Sequence, residues 1–140
     1  MIRRAVPSDI STIAALALKL WPGHDREELM TELGELLVKK DAAFFLAAEQ
    51  GFAQCQLRYD YVEGTCSSPV GYLEGIFVEE NCRRQGLAKQ LLTACESWAR
   101  EQGCREFASD CELTNTQSLR FHLGLGFEEA NRIIYFTKKL

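Results

Sequence analysis

Nothing in this chain approaches the roughly 20 consecutive apolar residues that a membrane-spanning helix needs. Its opening, MIRRAVPSDI, also lacks the apolar run of a secretory signal. A cytoplasmic location away from any membrane is therefore expected. Excess positive charge is missing as well: 16 Lys and Arg stand against 20 Asp and Glu, a formal charge of −4, which argues against a nucleic-acid surface. An acidic balance suits a polycationic small molecule better. Six cysteines are present, at 55, 66, 82, 95, 104 and 111, but no two form a C-x-x-C pair, so the spacing of a zinc site is absent. Without a secretory signal they are expected to be small buried apolar residues, not disulfides or nucleophiles. Internal repeats and low-complexity stretches are also lacking.

What is present reads as one domain over residues 1–140, since 46% hydrophobic content in 140 residues supplies a single core without a linker. Residues 2–6 suit a short strand. Pro7-Ser8-Asp9 opens a helix on which Ile10, Ile13, Leu16, Ala17 and Leu20 recur at helical spacing, and Trp21-Pro22-Gly23-His24 breaks it. Asp25 and Glu28 have capping-box spacing ahead of a second helix ending near Lys40. Ala42–Ala48 and Phe52–Val62 read as a hairpin turned at Glu49-Gln50-Gly51. A loop follows, then a strand over Val70–Val78, a long helix stopped by Gly103, a short strand Arg105–Asp110, a short helix Asn115–Leu123 and a strand-like tail Ile133–Thr137. That order is mixed α/β, a sheet covered by helices.

Phe77-Val78 leads through Glu79-Glu80-Asn81-Cys82 into Arg83-Arg84-Gln85-Gly86-Leu87-Ala88, with Leu87, Leu91, Leu92 and Cys95 at helical spacing. A loop that empties into a helix N-terminus suits an anion, because the first turn presents unpaired N–H groups and the positive end of the helix dipole. A glycine there allows close approach to the backbone. Two phosphate motifs are excluded by inspection. No Gly-Lys-Ser/Thr is present for a P-loop, and Gly86 stands alone where a dinucleotide fingerprint needs three glycines.

Arg83-x-x-Gly86-x-Ala88 at the start of a long helix resembles the acetyl-CoA signature of the GNAT superfamily of N-acetyltransferases, and NTQSLRFHLGLGF (Asn115–Phe127) resembles that family's closing element. WPGH (Trp21–His24), YDYVEG (Tyr59–Gly64), SSPVGYLEGIFV (Ser67–Val78), GCREFASD (Gly103–Asp110) and GFEE (Gly126–Glu129) together resemble aminoglycoside 6'-N-acetyltransferases over nearly the whole chain. The hairpin at 49–51 is a few residues shorter than in relatives, and Asn131 stands where the family often has an acid.

The resemblance implies a mostly antiparallel central sheet flanked by helices, acetyl-CoA as cosubstrate without a metal, and transfer of its acetyl group to the 6'-amine of aminoglycosides, a resistance activity. Other readings are a relative acting on another polyamine, a metabolite amine or a protein amine, and a nonenzymatic acetyl-CoA-binding module. It further implies that Arg83, Arg84, Gln85, Gly86, Leu87, Ala88 and Lys89, with Asn115, hold the cofactor.

Acetyl transfer needs a neutral amine, a polarised carbonyl and an exit for the thiolate. Glu74, on the strand leading to the cofactor loop, is the candidate base. Asp110 would face the same cleft to bind a cation or share that role, or would simply cap the following helix. Backbone N–H groups of Ile76, Phe77 or Val78 could polarise the carbonyl if the strand splays from its neighbour, and Gly75 favours a bulge there. His122 occupies the place where many relatives have a tyrosine, and its ordinary pKa near 6.5 would allow proton donation to the thiolate; Tyr135 is the rival. Trp21, His24, Tyr61 and Asn131, with Glu74 and Asp110, are the expected aminoglycoside contacts. The Tyr59–Ser68 excursion is long enough to reach a second subunit, so a homodimer with a shared cleft is expected.

Overall fold

The computed structural model describes residues 1–140. Its sheet has five strands in sequence order: β1 (Arg3–Arg4), β2 (Ala42–Ala47), β3 (Gly51–Arg58), β4 (Val70–Val78) and β5 (Phe107–Ser109). Neighbours are antiparallel except β4 and β5, which run parallel because α3 (Leu87–Glu101) connects them. Helices α1 (Ile10–Leu20) and α2 (Arg26–Leu37) join β1 to β2, and α4 (Thr116–Gly124) follows β5.

Both faces of the sheet are covered, which is why Ala42–Ala47 is a continuous buried apolar run with no polar alternation. On one face Phe44, Leu46 and Phe52 pack with Ile13, Leu16 and Ala17 of α1 and Leu29 and Leu33 of α2. On the other, Phe45, Ala53, Cys55 and Leu73 pack with Leu91, Leu92, Cys95 and Trp98 of α3. The central pair β3–β4 crosses a kink: Gln54 opposes Gly75 while Cys55 opposes Leu73, leaving Glu74 as the extra residue of a β-bulge.

Asp25 caps α2 as expected, accepting from the Glu28 N–H at 3.1 Å. Gly103 stops α3 at φ 91°, a left-handed conformation that favours glycine. Three expectations are corrected. β3 ends at Arg58, not Val62, because residues 59–69 leave the sheet as a loop, tied to β5 through Glu106, whose Oε1 accepts from the Cys66 N–H and the Ser67 hydroxyl. The tail Ile133–Thr137 forms no strand, since no neighbouring strand offers it a ladder, and Ile133, Ile134, Tyr135 and Phe136 stand exposed. Three cysteines, 55, 95 and 104, are buried as expected, but Cys66 and Cys111 are exposed; all six are free.

At the N-terminal edge, Arg3 donates to both carboxylate oxygens of Asp9 at 2.7 and 2.8 Å, and the Val6 N–H adds a third bond at 2.8 Å. The guanidinium first, and the amide second, hold the Asp9 carboxyl down to about 2. A value below the unfolded one, about 3.9, contributes stability in full above that pH and loses it as pH falls toward 2. Urea midpoints at neutral pH and near pH 2.5 should therefore fall further in the parent than in Asp9→Asn. An equal acid loss in the two proteins would refute this role.

Candidate active site

The divergence of β4 from β5 makes the cleft. The two strands pair only from Gly71 to Leu73 against Phe107 to Ser109, and from Glu74 onward β4 has no partner on that side. Backbone groups along a strand point alternately to its two sides. The Glu79 N–H donates to Gln50 O at 2.7 Å, toward β3. By alternation Phe77 also faces β3, whereas Ile76 and Val78 face the opening. Of the three backbone donors expected from sequence, Phe77 is thus committed to the ladder; Ile76 and Val78 line the gap.

The extra residue of the bulge, Glu74, is partly buried and lies on the α1 side of the sheet with Gln54, Gln56 and Arg58, which alternate along β3. Arg58 Nε donates to Glu74 Oε2 at 3.2 Å and Nη2 to Oε1 at 2.9 Å. The same guanidinium lies 3.4 Å from the centre of the Tyr72 ring. Tyr72 in turn donates its phenol proton to Asp110 Oδ2 at 2.5 Å. Burial first, and the Asp110 carboxylate second, push the Tyr72 phenol far above its ordinary range, so it stays a donor at any working pH. Asp110 therefore faces the cleft side of the sheet. The Ser118 N–H that opens α4 is capped instead by Asn115 Oδ1 at 3.0 Å. Gln54, opposite Gly75, is buried, and its amide donates to Gln56 Oε1 at 3.3 Å.

Trp21 forms the wall beside the bulge. A Cβ placed on Gly75 would meet the indole Cη2 at 2.7 Å and Leu20 Cδ2 at 3.2 Å, so the ring lies directly on the glycine backbone. His24 is exposed, its ring centre 6.3 Å from that of Trp21. Tyr61 is exposed on the 59–69 loop and donates to Glu63 Oε2 at 3.2 Å. Asn131 reaches the same glutamate, donating to Oε1 at 2.8 Å. Tyr61 and Asn131 are thus joined through Glu63, while Trp21 packs on Gly75, the residue after Glu74.

Beyond Val78 the chain turns through Glu80–Cys82, and Arg84 (φ 67°) and Gly86 (φ 79°) adopt left-handed conformations before α3 starts. No side chain caps α3, and its first internal bond runs from the Gln90 N–H to Gly86 O at 3.0 Å. The amides of Leu87, Ala88 and Lys89 are left free. Above Gly86 the space is open, its nearest neighbour being Gln90 Nε2 at 3.8 Å from a notional Cβ. Leu87 buries its side chain in the core, so only its amide can serve a ligand. Arg83 donates to Val78 O at 2.9 Å, steadying the loop against β4. Glu80, Arg83, Arg84 and Gln117 line a shallow cleft that joins this loop to the start of α4. The geometry fits a phosphate group.

His122 does not stand free. Its Nδ1 is 2.7 Å from Ser118 O, a pure acceptor, so Nδ1 carries the proton. Ser109 Oγ lies 2.8 Å from Nε2 and 3.3 Å from Leu73 O, and its one proton serves either acceptor in turn. Both ring nitrogens are engaged where β4 and β5 part. Tyr135, its rival, is in the exposed tail with no hydrogen-bond partner. The residues that sequence reasoning missed are Arg58, Tyr72 and Ser109. A signal is available for the first: glutamine, glutamine and arginine at every second position of a strand form a polar stripe that runs from the buried Gln54 out to the exposed Arg58.

The acetyltransferase (GNAT) family model matches residues 10–127. An aminoglycoside N(6')-acetyltransferase type 1 from Stenotrophomonas maltophilia is 42% identical over 144 residues, covering 99% of this chain and 93% of the relative. The enzyme of that name from Serratia marcescens is 43% identical over 131 residues, covering 90% of each. Among solved structures, the aminoglycoside N-acetyltransferase AAC(6')-Iy in complex with CoA superposes with a TM-score of 0.95 at 40% identity, covering 100% of this chain and 95% of that one. The same enzyme with the bisubstrate analogue CoA-S-monomethyl-acetylneamine gives a TM-score of 0.93 at 40% identity, covering 100% and 98%.

Proposed function

This chain belongs to the acetyltransferase (GNAT) family, and on that footing we propose that it transfers the acetyl group of acetyl-CoA to the 6'-amine of aminoglycosides, by direct attack in a ternary complex. One observation carries the reading: Glu74, the bulge residue, lies on the strand whose open edge runs to the uncapped N-terminus of α3, entered through Gly86. Base and anion cradle are thereby set along one strand. When bound, acetyl-CoA supplies a thioester carbonyl open to attack by an amine.

The free amides of Leu87, Ala88 and Lys89, with Arg83, Arg84, Gln85 and Gly86, hold the pyrophosphate, and the backbone of Ile76 and Val78 serves the pantetheine arm and the carbonyl. Asn115 serves the cofactor by setting the first turn of α4. Glu74 accepts the ammonium proton, directly or through a water, and Asp110 attracts the cation. Trp21 and His24 form one side of the acceptor site, and Tyr61 and Asn131 the other. As the new C–N bond forms the C–S bond breaks and CoA leaves as its thiolate, while His122 fixes Ser109 where the strands part. The protein works in the cytoplasm as a single 140-residue domain, paired as a homodimer through the 59–69 loop and the exposed Ile133–Phe136 tail. Sedimentation at micromolar concentration should give twice the 15.8 kDa chain mass; a species of one chain mass would remove the dimer.

A CoA-release assay separates the reading from its rivals. An aminoglycoside with a 6'-amine should be turned over while its 6'-hydroxyl analogue, which keeps the other amines, is not. Equal turnover would mean that another position is modified. Preference for a peptide or a simple polyamine would move the substrate, and no turnover at all would leave only a cofactor-binding module.

Gly86→Val should abolish cofactor binding, because valine resists φ 79° and its branches fill the space above the loop. Calorimetry with CoA on the folded variant reads this out. Undiminished affinity would take the loop out of the binding site.

A further inference from the structure

One cation of the protein's own stands beside the two carboxylates of the acceptor site, paired with Glu74 directly and linked to Asp110 only through Tyr72. Arg58 grips both oxygens of Glu74 and is laid flat on Tyr72, whose phenol holds Asp110. Glu74 has no other charged partner, and Asp110 has none. The Glu74 side chain is 19% exposed and that of Arg58 43%, so the carboxylate is the less exposed partner of the pair. A tie across the bulge alone would not need a planar fork, an aromatic bed and a second carboxylate behind it.

We propose that Arg58 is a positioning and specificity-determining residue of the acceptor site, an inference that rests on the amine-acetylation reading. Its two donors fix the plane and direction of the Glu74 carboxylate before substrate arrives. Each oxygen keeps a lone pair for an ammonium or a water, since a carboxylate offers about four acceptor sites. Its charge cancels one of the two carboxylates, leaving the cluster one surplus negative charge. The site thus attracts a single ammonium group without gripping a polycation at several. Stacking on Tyr72 prevents the guanidinium from swinging away, which a lysine at this position could not reproduce.

Two effects of opposite sign follow. In Arg58→Met the cluster gains a negative charge, so KM for a kanamycin-type aminoglycoside should fall, by roughly 3–10-fold at low ionic strength, and the difference should shrink as salt is added. The same variant loosens Glu74, so kcat should fall by roughly 10–100-fold, the scale of a small misplacement. Arg58→Lys keeps the charge but only a point donor. Its KM should stay near the parent value while kcat is partly restored relative to Arg58→Met.

The experiment is kcat and KM for parent, Arg58→Met and Arg58→Lys at low and high salt, with saturating acetyl-CoA and folding checked by circular dichroism. A merely structural tie would raise KM, or lower only thermal stability, in both variants, and either result overturns the proposal. If Arg58→Met does not fold, Arg58→Lys decides alone: a raised KM or an unchanged kcat overturns the proposal. A parent that acetylates no amine defeats the functional reading and this inference together, whereas an active parent with no split between KM and kcat defeats only the inference.

Discussion

One extra residue in the middle strand pair governs this molecule. Glu74 has no opposite number on β3, so the strand must bend to pass it. β4 leaves β5 at the same point, immediately after the Leu73–Ser109 pair. An unpaired strand edge in a protein interior costs free energy unless something meets it. Here the opening is guarded at its apex by the chain from His122 through Ser109 to Leu73 O, and the rest of the edge remains available to a ligand backbone. The bend also requires glycine next to it, because Trp21 lies where any side chain at 75 would stand. Strand, cleft and aromatic wall are one constraint.

Charge is placed along this frame in two zones. At the bulge, carboxylates dominate, held by Arg58 and Tyr72 against the sheet. At the end of the same strand stand Arg83, Arg84 and the free amides of α3, in a loop with left-handed residues at Arg84 and Gly86. On the proposed reading, a cationic amine and an anionic cofactor would be drawn to opposite ends of a few residues of strand. Proximity of this kind, without a covalent intermediate, is what a direct attack requires.

Much of this was legible in the sequence, for identifiable reasons. Val70–Val78 was read with its observed bounds because a β-rich run there ends in a polar corner, and α3 because its apolar spacing is regular and Gly103 marks its stop. The bulge is legible from Gly75, and the uncapped start of α3 from a glycine before a helical run. What could not be read depended on contacts between distant segments. Tail residues 133–137 have the composition of a strand, but a strand exists only against a partner, and composition does not supply one. Sequence alone allows Asp110 to be a helix cap or a cleft residue; in the fold Asn115 takes the cap and Tyr72 holds Asp110. Arg58 and Glu74 are 16 residues apart and meet only because the hairpin register and the bulge bring them to one face.

The central claim is that Glu74, displaced from the ladder, removes a proton from the bound ammonium while Asp110 only attracts it. The decisive measurement is kcat and KM for both substrates across about pH 6 to 9, for parent, Glu74→Gln and Asp110→Asn. Glutamine keeps the shape but cannot act as a base, so kcat for Glu74→Gln should fall by roughly 10²–10⁴-fold and recover toward the pKa of the amine. In Asp110→Asn the aminoglycoside KM should rise more than kcat falls, with acetyl-CoA affinity unchanged in both variants. An unaltered pH–kcat profile in Glu74→Gln, or a defect in Asp110→Asn confined to kcat, would contradict the account and transfer the base to Asp110.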